Sequence, residues 1–207
     1  MLFSANICFS QEFSSSGGGK IDLLVSGGYT AIKIQSNTYT GYEAGIKLLV
    51  PFMTSKDFYV GLGAKYDYAT FDPPSTQSQV SFSHQYDSFL AGLDFGYKFT
   101  TSLLDILINP YAYYSFYDTW LQTTTTATFQ QTYSPYIIHN LNYGIGLCLL
   151  FKIMFDSNTG LYLGPSGYYS NAYMVYQNAT DSKGNKYAGG EGSYSLYTAN
   201  FTVGMFF

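Results

Sequence analysis

The residues of this chain that could do acid–base chemistry near neutral pH are two histidines, His84 and His139. His84 follows Ser81 and Ser83 near a loop and precedes Asp87, so one short stretch holds a hydroxyl, a base and an acid, the parts of an activated nucleophile. The spacing is not that of a Ser–His hydrolase, and Asp87 is no convincing orienting acid, so catalysis is the minor reading and no catalytic residue is assigned. Gly17-Gly18-Gly19 lacks the Lys-Ser/Thr sequel and the helix of a phosphate loop. Cys8 and Cys148 give neither a disulfide framework nor zinc spacing. No metal or cofactor is expected. The nine basic residues are all lysines and the formal charge is −4, which leaves no basic footprint for nucleic acid.

The charged residues carry a second kind of chemistry, because their spacing is regular. Glu43 and Lys47, Lys65 and Asp67, and Asp94 and Lys98 each recur at even separations, and the residues between them are apolar. In Tyr42–Phe52 the even positions are Tyr, Ala, Ile, Leu, Val and Phe, while the odd ones include Glu43, Gly45 and Lys47. Phe58–Tyr68 and Ser88–Phe99 repeat the pattern. A period of two denotes strands with one oily and one polar face. These runs exceed the ~5–6 residues of an ordinary strand and match the ~9–11 that a tilted strand needs to cross hydrocarbon.

Weaker copies lie at 20–34, 104–116, 136–151, 161–176 and 193–207, giving eight strands in all. Aromatics at 20% and charged residues at only 11% fit such strands and leave a charge-poor surface. No window approaches ~18 consecutive apolar residues, so a membrane-spanning helix is ruled out on length. A chain that spans a membrane without such a helix must be a closed barrel, since lipid cannot satisfy open backbone groups. The reading is therefore all-β: an eight-stranded antiparallel up-and-down transmembrane β-barrel over 20–207. Residues 1–10 read as a signal-peptide remnant and 11–19 as a flexible leader. Short connections near 54–56, 100–102 and 156–160 alternate with longer ones near 71–80, 118–134 and 177–190, as periplasmic turns alternate with extracellular loops. The Thr123–Thr126 run reads as a solvated loop tip. Asn178-Ala179-Thr180 matches a glycosylation triplet by composition only. Pro110 and Pro165 fall inside strands, and a bulge is expected at one or both.

A lysine on the lipid face would cost roughly 2–4 kcal/mol at mid-depth. Glu43, Lys47, Lys65, Asp67, Asp94, Lys98 and Asp105 should therefore point into the lumen and pair there. The turn near 100–102 suggests Lys98 opposite Asp105, and the turn near 54–56 suggests Glu43 opposite or diagonal to Lys65. Direct ion pairs and a water-bridged lumen both remain open. Phe52, Phe58, Phe99, Phe151 and Phe207 should form one aromatic girdle. Tyr66, Tyr68, Tyr114, Phe116 and Tyr197 should form the other. His139 shares the lipid-facing parity near the outer rim.

The chain ends Phe201-Thr202-Val203-Gly204-Met205-Phe206-Phe207. A terminal Phe with apolar residues at alternate positions, together with the strand pattern, resembles the small OmpA/OmpX-like outer-membrane β-barrel families over about 19–207. The resemblance implies a bacterial outer-membrane location, with lipid as one partner. It also implies that Phe201, Val203, Met205 and Phe207 are read by the barrel assembly machinery. A structural or surface-interaction barrel of adhesin type is the leading function, its external ligand contacted through 71–80, 118–134 and 177–190. A narrow pore, a lipid A-modifying enzyme and a soluble lipocalin-like barrel are the alternatives. A lipocalin would invert the two faces.

Overall fold

The computed structural model describes residues 20–34, 37–53, 55–71, 80–126, 130–133, 137–180 and 186–207. The leader segments 1–10 and 11–19 lie outside them. Among the described residues eleven strands follow in chain order: β1 (Asp22–Ile34), β2 (Asn37–Pro51), β3 (Phe58–Phe71), β4 (Val80–Thr100), β5 (Leu104–Thr126), β6 (Gln130–Tyr133), β7 (Ile137–Met154), β8 (Gly160–Tyr176), β9 (Ala179–Thr180), β10 (Lys186–Tyr187) and β11 (Gly190–Phe206). Eight of them are barrel staves. β1, β2, β3, β4, β5, β7, β8 and β11 pair antiparallel in that sequence, and β11 returns to β1, so the sheet closes as an up-and-down meander. β6 doubles back on upper β5, and β9 with β10 forms a separate small hairpin.

Closure settles the backbone, and alternation settles the side chains. Along β11, residues 194, 196, 198, 200, 202, 204 and 206 are buried, whereas 197, 199, 201, 203 and 205 are exposed. The same inversion holds on β2, where Glu43 and Lys47 are buried while Tyr42, Ile46, Leu48 and Val50 are exposed. The oily face is thus the outside. From Tyr42 to Phe52, at ~3.3 Å per residue and a tilt of ~40°, it rises about 25 Å, the height of an outer-membrane apolar band. Phe52, Phe58, Phe99, Phe151 and Phe207 are all exposed at the short-turn end. Tyr114, Phe116 and Tyr197 are exposed toward the other end, joined by Tyr29, Tyr42, Tyr143 and Tyr169, while Tyr66 and Tyr68 are half-buried. Among the described residues, no helix is long and apolar enough to cross a membrane, a statement that does not bear on crossing by strands.

The short-turn end is tied by local bonds. Phe52 N–H donates to Phe58 O at 2.8 Å, and Ser55 Oγ accepts from Phe58 N–H at 3.0 Å. Met53 holds a left-handed φ of 55°, which the tight reversal requires of a non-glycine residue. In the β7–β8 turn, Asp156 accepts from the backbone of Asn158 and Thr159, both at 2.7 Å, and from Thr159 Oγ1 at 2.6 Å. These donors hold the Asp156 carboxyl below the usual carboxylate range. The chain end is fastened to the start of β1, with Ile21 N–H donating to Phe207 O at 2.9 Å.

Three expectations are corrected. Neither proline carries a bulge: the registers Asp94↔Tyr111 to Tyr97↔Ile108 and Cys148↔Ser166 to Phe151↔Leu163 run through Pro110 and Pro165 unshifted. The irregularities fall instead at Phe89/Leu90 and Ile137/His139. The reason at Pro110 is a substitute donor. Phe95 stands opposite Pro110, and Asn109 Nδ2 reaches the Phe95 carbonyl at 2.7 Å, supplying the ladder bond that proline cannot. Second, Thr123–Thr126 is not a loop tip but the end of β5, paired to β4 throughout and to β6 as far as Thr125. β-branched residues suit that ladder. Third, His84 is not beside a loop; it lies within β4, opposite Phe71 and Gln122.

Candidate functional site

The lumen gathers the polar chemistry of this chain. Glu43, Lys47, Lys65, Asp67, Asp94, Lys98 and Asp105 are all buried inside the closed sheet. Buried ions are tolerated only when paired and hydrogen-bonded, and the pairing follows three levels.

Nearest the short turns, Lys98 pairs with Asp22. The expected Lys98–Asp105 pair does not form. Lys98 stands opposite Leu107 rather than Asp105, and its ammonium crosses the lumen from β4 to β1. Asp105 pairs with Lys152 at 2.8 Å and accepts from Tyr162 Oη at 2.6 Å. Lys98 also sits 4.1 Å from the Tyr59 ring centroid, a cation–π contact.

At mid-height, Lys47 reaches Asp94 at 3.1 Å and donates to Asn109 Oδ1. Asp94 also accepts from Asn109 Nδ2 at 3.0 Å and Tyr113 Oη at 2.5 Å. Lys47 extends from β2 across β3 to reach β4, and Gly63 on β3 makes the room. A Cβ there would run into the Tyr113 hydroxyl and the Asp94 carboxylate. Beside this set, Lys65 bridges Glu43 at 3.2 Å and Asp67 at 3.1 Å, and Asn200 Nδ2 donates to Glu43 at 2.7 Å. Glu43 faces Asp67 in register, so its contact with Lys65 is the diagonal one. Direct ion pairs form at this level. Ser26, Glu43, Gly45, Lys47, Lys65 and Tyr111 border a cavity of only ≈ 10 Å³, room for at most one water.

Toward the long-loop end, Asn140 Nδ2 donates to Asp118 at 2.9 Å, Tyr86 Oη at 3.0 Å and Tyr194 Oη at 3.1 Å. Above them Tyr39, Phe71, His84 and Trp120 pack against Ile32, Met174 and Leu196. His84 is consumed in this plug: its Nδ1 lies 2.9 Å from Tyr39 Oη. Ser83 is exposed, on the face opposite the plug, and Asp87 accepts from Tyr66 Oη at 2.5 Å and Gln85 Nε2 at 2.6 Å. Ser83, His84 and Asp87 are therefore split between the two faces of β4. His139 is exposed and meets Tyr114 Oη at 2.6 Å.

Asp22, Asn109, Asp118, Asn140, Lys152 and Asn200 were missed by sequence reasoning, as were the lumen tyrosines 59, 86, 111, 113, 162, 168 and 194. All but Asp118 share the inward parity of their strands, which is the signal that could have found them; the irregularity opposite Phe89 and Leu90 reverses the phase of β5 before Asp118. At the chain end, Phe201, Val203, Met205 and Phe207 form an exposed apolar row on β11 and the residue after it.

No family model matches this sequence, and no curated protein does. Solved structures do resemble the fold. One is a major outer membrane protein from Thermus thermophilus, at 14% identity and TM-score 0.47, covering 91% of this chain and 98% of that one. Ail, the attachment invasion locus protein of Yersinia pestis, aligns at 11% identity and TM-score 0.40, covering 92% and 99%. Neisserial surface protein A aligns at 9% identity and TM-score 0.40, covering 88% and 95%.

Proposed function

We propose that this chain is a bacterial outer-membrane barrel that serves as a structural and surface-contact platform of adhesin type, not as a pore or an enzyme. One observation carries the surface role: the staves do not stop at the outer aromatic belt. β4 continues from Phe89 to Val80 in unbroken pairing with β5. At ~3.3 Å per residue and ~40° tilt this is a projection of about 23 Å. The projecting end of β5, 119–126, holds Thr, Trp, Leu and Gln and no charge. Segments 71–80, 118–134 and 177–190 are then the regions that meet an external ligand.

The lumen argues against conduction, since it is filled at three levels by side chains from facing staves. The Ser–His reading for a lipid A-modifying enzyme loses support because Ser83, His84 and Asp87 do not converge. Outer-membrane lipid would contact the apolar belt, and the barrel assembly machinery would read Phe201, Val203, Met205 and Phe207.

The test is a variant with 72–85 and 119–134 replaced by short Asn-Gly joins, produced in bacteria beside the full chain. Both should show heat-modifiable gel mobility in the outer-membrane fraction. Only the full chain should promote adhesion to epithelial cell layers. Equal adhesion by the trimmed barrel would contradict the surface role, and reproducible large open steps in planar bilayers would favour a pore.

A further inference from the structure

The outer wall of the barrel is not smooth. On the belt face a shallow, open groove runs over β5, β7, β8 and β11, walled by Ile108, Ile145, Leu147, Tyr169 and Tyr197. Its floor is Gly167, the outward residue between Leu147 on one side and Ala199 on the other. The sequence puts the two smallest side chains next to each other at that level, where neighbouring rows carry Ile145, Tyr169 and Tyr197, or Leu149, Pro165 and Phe201.

The geometry points to a binding groove for one acyl chain of an outer-leaflet lipid, with the lipid's polar head held at Asn171 and Ser195. The proposal rests on the membrane reading above, because only a belt set in hydrocarbon brings an acyl chain to this face. Within hydrocarbon there is no hydrophobic drive to associate, so selectivity comes from packing contacts. A convex stave touches a chain on one side; this groove touches it on its floor and two walls. The long-loop end of the groove is capped by Tyr169 and Tyr197, whose ring centroids lie 5.1 Å apart. Directly beyond them, Asn171 Oδ1 accepts from Tyr169 Oη at 3.2 Å and from Ser195 Oγ at 3.1 Å. That commits the carboxamide oxygen and leaves its nitrogen as a donor for an ester or phosphate oxygen, at the level where a headgroup begins.

Gly167 also makes the idea testable, because it can be replaced. A Cβ there meets only the Thr198 carbonyl, at 3.4 Å, an ordinary contact. The full chain is refolded into phosphatidylcholine vesicles doped with a phosphatidylcholine carrying a photoactivatable diazirine in its acyl chain, and the adducts are mapped by mass spectrometry. Labelling should concentrate on the groove residues of β7, β8 and β11. Gly167→Leu, which fills the groove, should lower it there at least fivefold while heat-modifiable mobility is unchanged. Should Gly167→Leu not fold, Ala199→Leu narrows the same groove from the next stave. Labelling spread over all eight staves, or unaffected by either variant, would overturn the proposal. So would a protein–protein adduct through this face, which would assign the groove to a second copy. Failure of the unaltered chain to enter the vesicles would instead overturn the membrane reading on which the groove depends.

Discussion

Asp94 shows what one lumen residue has to do. It accepts from Lys47, Asn109 and Tyr113 while fully buried inside the sheet. Removing one member of a buried pair strands the other, at a cost of about 3–5 kcal/mol. Asp94→Leu should therefore lower the urea midpoint of the lipid-embedded barrel strongly, and Lys47→Met should do likewise. The double variant Lys47→Met with Asp94→Leu should recover most of the loss, since a well-packed apolar pair of similar volume is often neutral. Additive losses would mean the two groups do not interact. Parity in the sequence was enough to send Glu43, Lys47, Lys65, Asp67, Asp94, Lys98 and Asp105 inward. It named Lys65 for Glu43, which sit on one hairpin, but not the partners of Lys98 and Lys47, because Lys98–Asp22 and Lys47–Asp94 join staves that are not hydrogen-bonded neighbours. Such contacts depend on how far the sheet is sheared on closing, which no local pattern records.

At the scale of the strand, the legible part was the alternation itself. A slip of one residue would turn every oily side chain inward, so register is written into each segment. The ends of the strands were not legible. Thr123–Thr126 and the residues around His84 carry polar side chains on both faces because they stand beyond the belt, and a two-faced polar strand reads like a loop. The prolines misled for another reason: the compensating donor at Pro110 is the preceding side chain. Asn109→Ala should cost about 1–3 kcal/mol by leaving the Phe95 carbonyl without a donor. Adding Pro110→Ala restores a backbone N–H and should recover part of that loss in the same urea titration; no recovery would show that the Phe95 bond is not what Asn109 provides. In the turn that follows β7, Asp156 confers a pH dependence. Its carboxyl is held below the ordinary range by the Thr159 and Asn158 donors. The turn's contribution is thus fully present above the unfolded carboxylate value and is lost as pH falls through the lower folded value. An NMR titration should place Asp156 below a free aspartate, and Asp156→Asn should abolish that local transition.

For the whole molecule, everything depends on which solvent each face meets. Composition made the class legible, since a chain with 20% aromatic and 11% charged residues cannot cover such strands with charge. The projection beyond the belt and the groove at Gly167 were not legible, because both arise only when staves lie side by side. The most direct measurement is a cysteine scan of β2 in a Cys8→Ser, Cys148→Ser background. A fluorophore is placed in turn at 43 to 48, and quenching by lipids brominated on the acyl chain is recorded after refolding into vesicles. With hydrocarbon outside and the ionic network enclosed, Ala44→Cys, Ile46→Cys and Leu48→Cys should be quenched strongly. Glu43→Cys, Gly45→Cys and Lys47→Cys should be shielded. Quenching without alternation, or with the opposite phase, would contradict that arrangement.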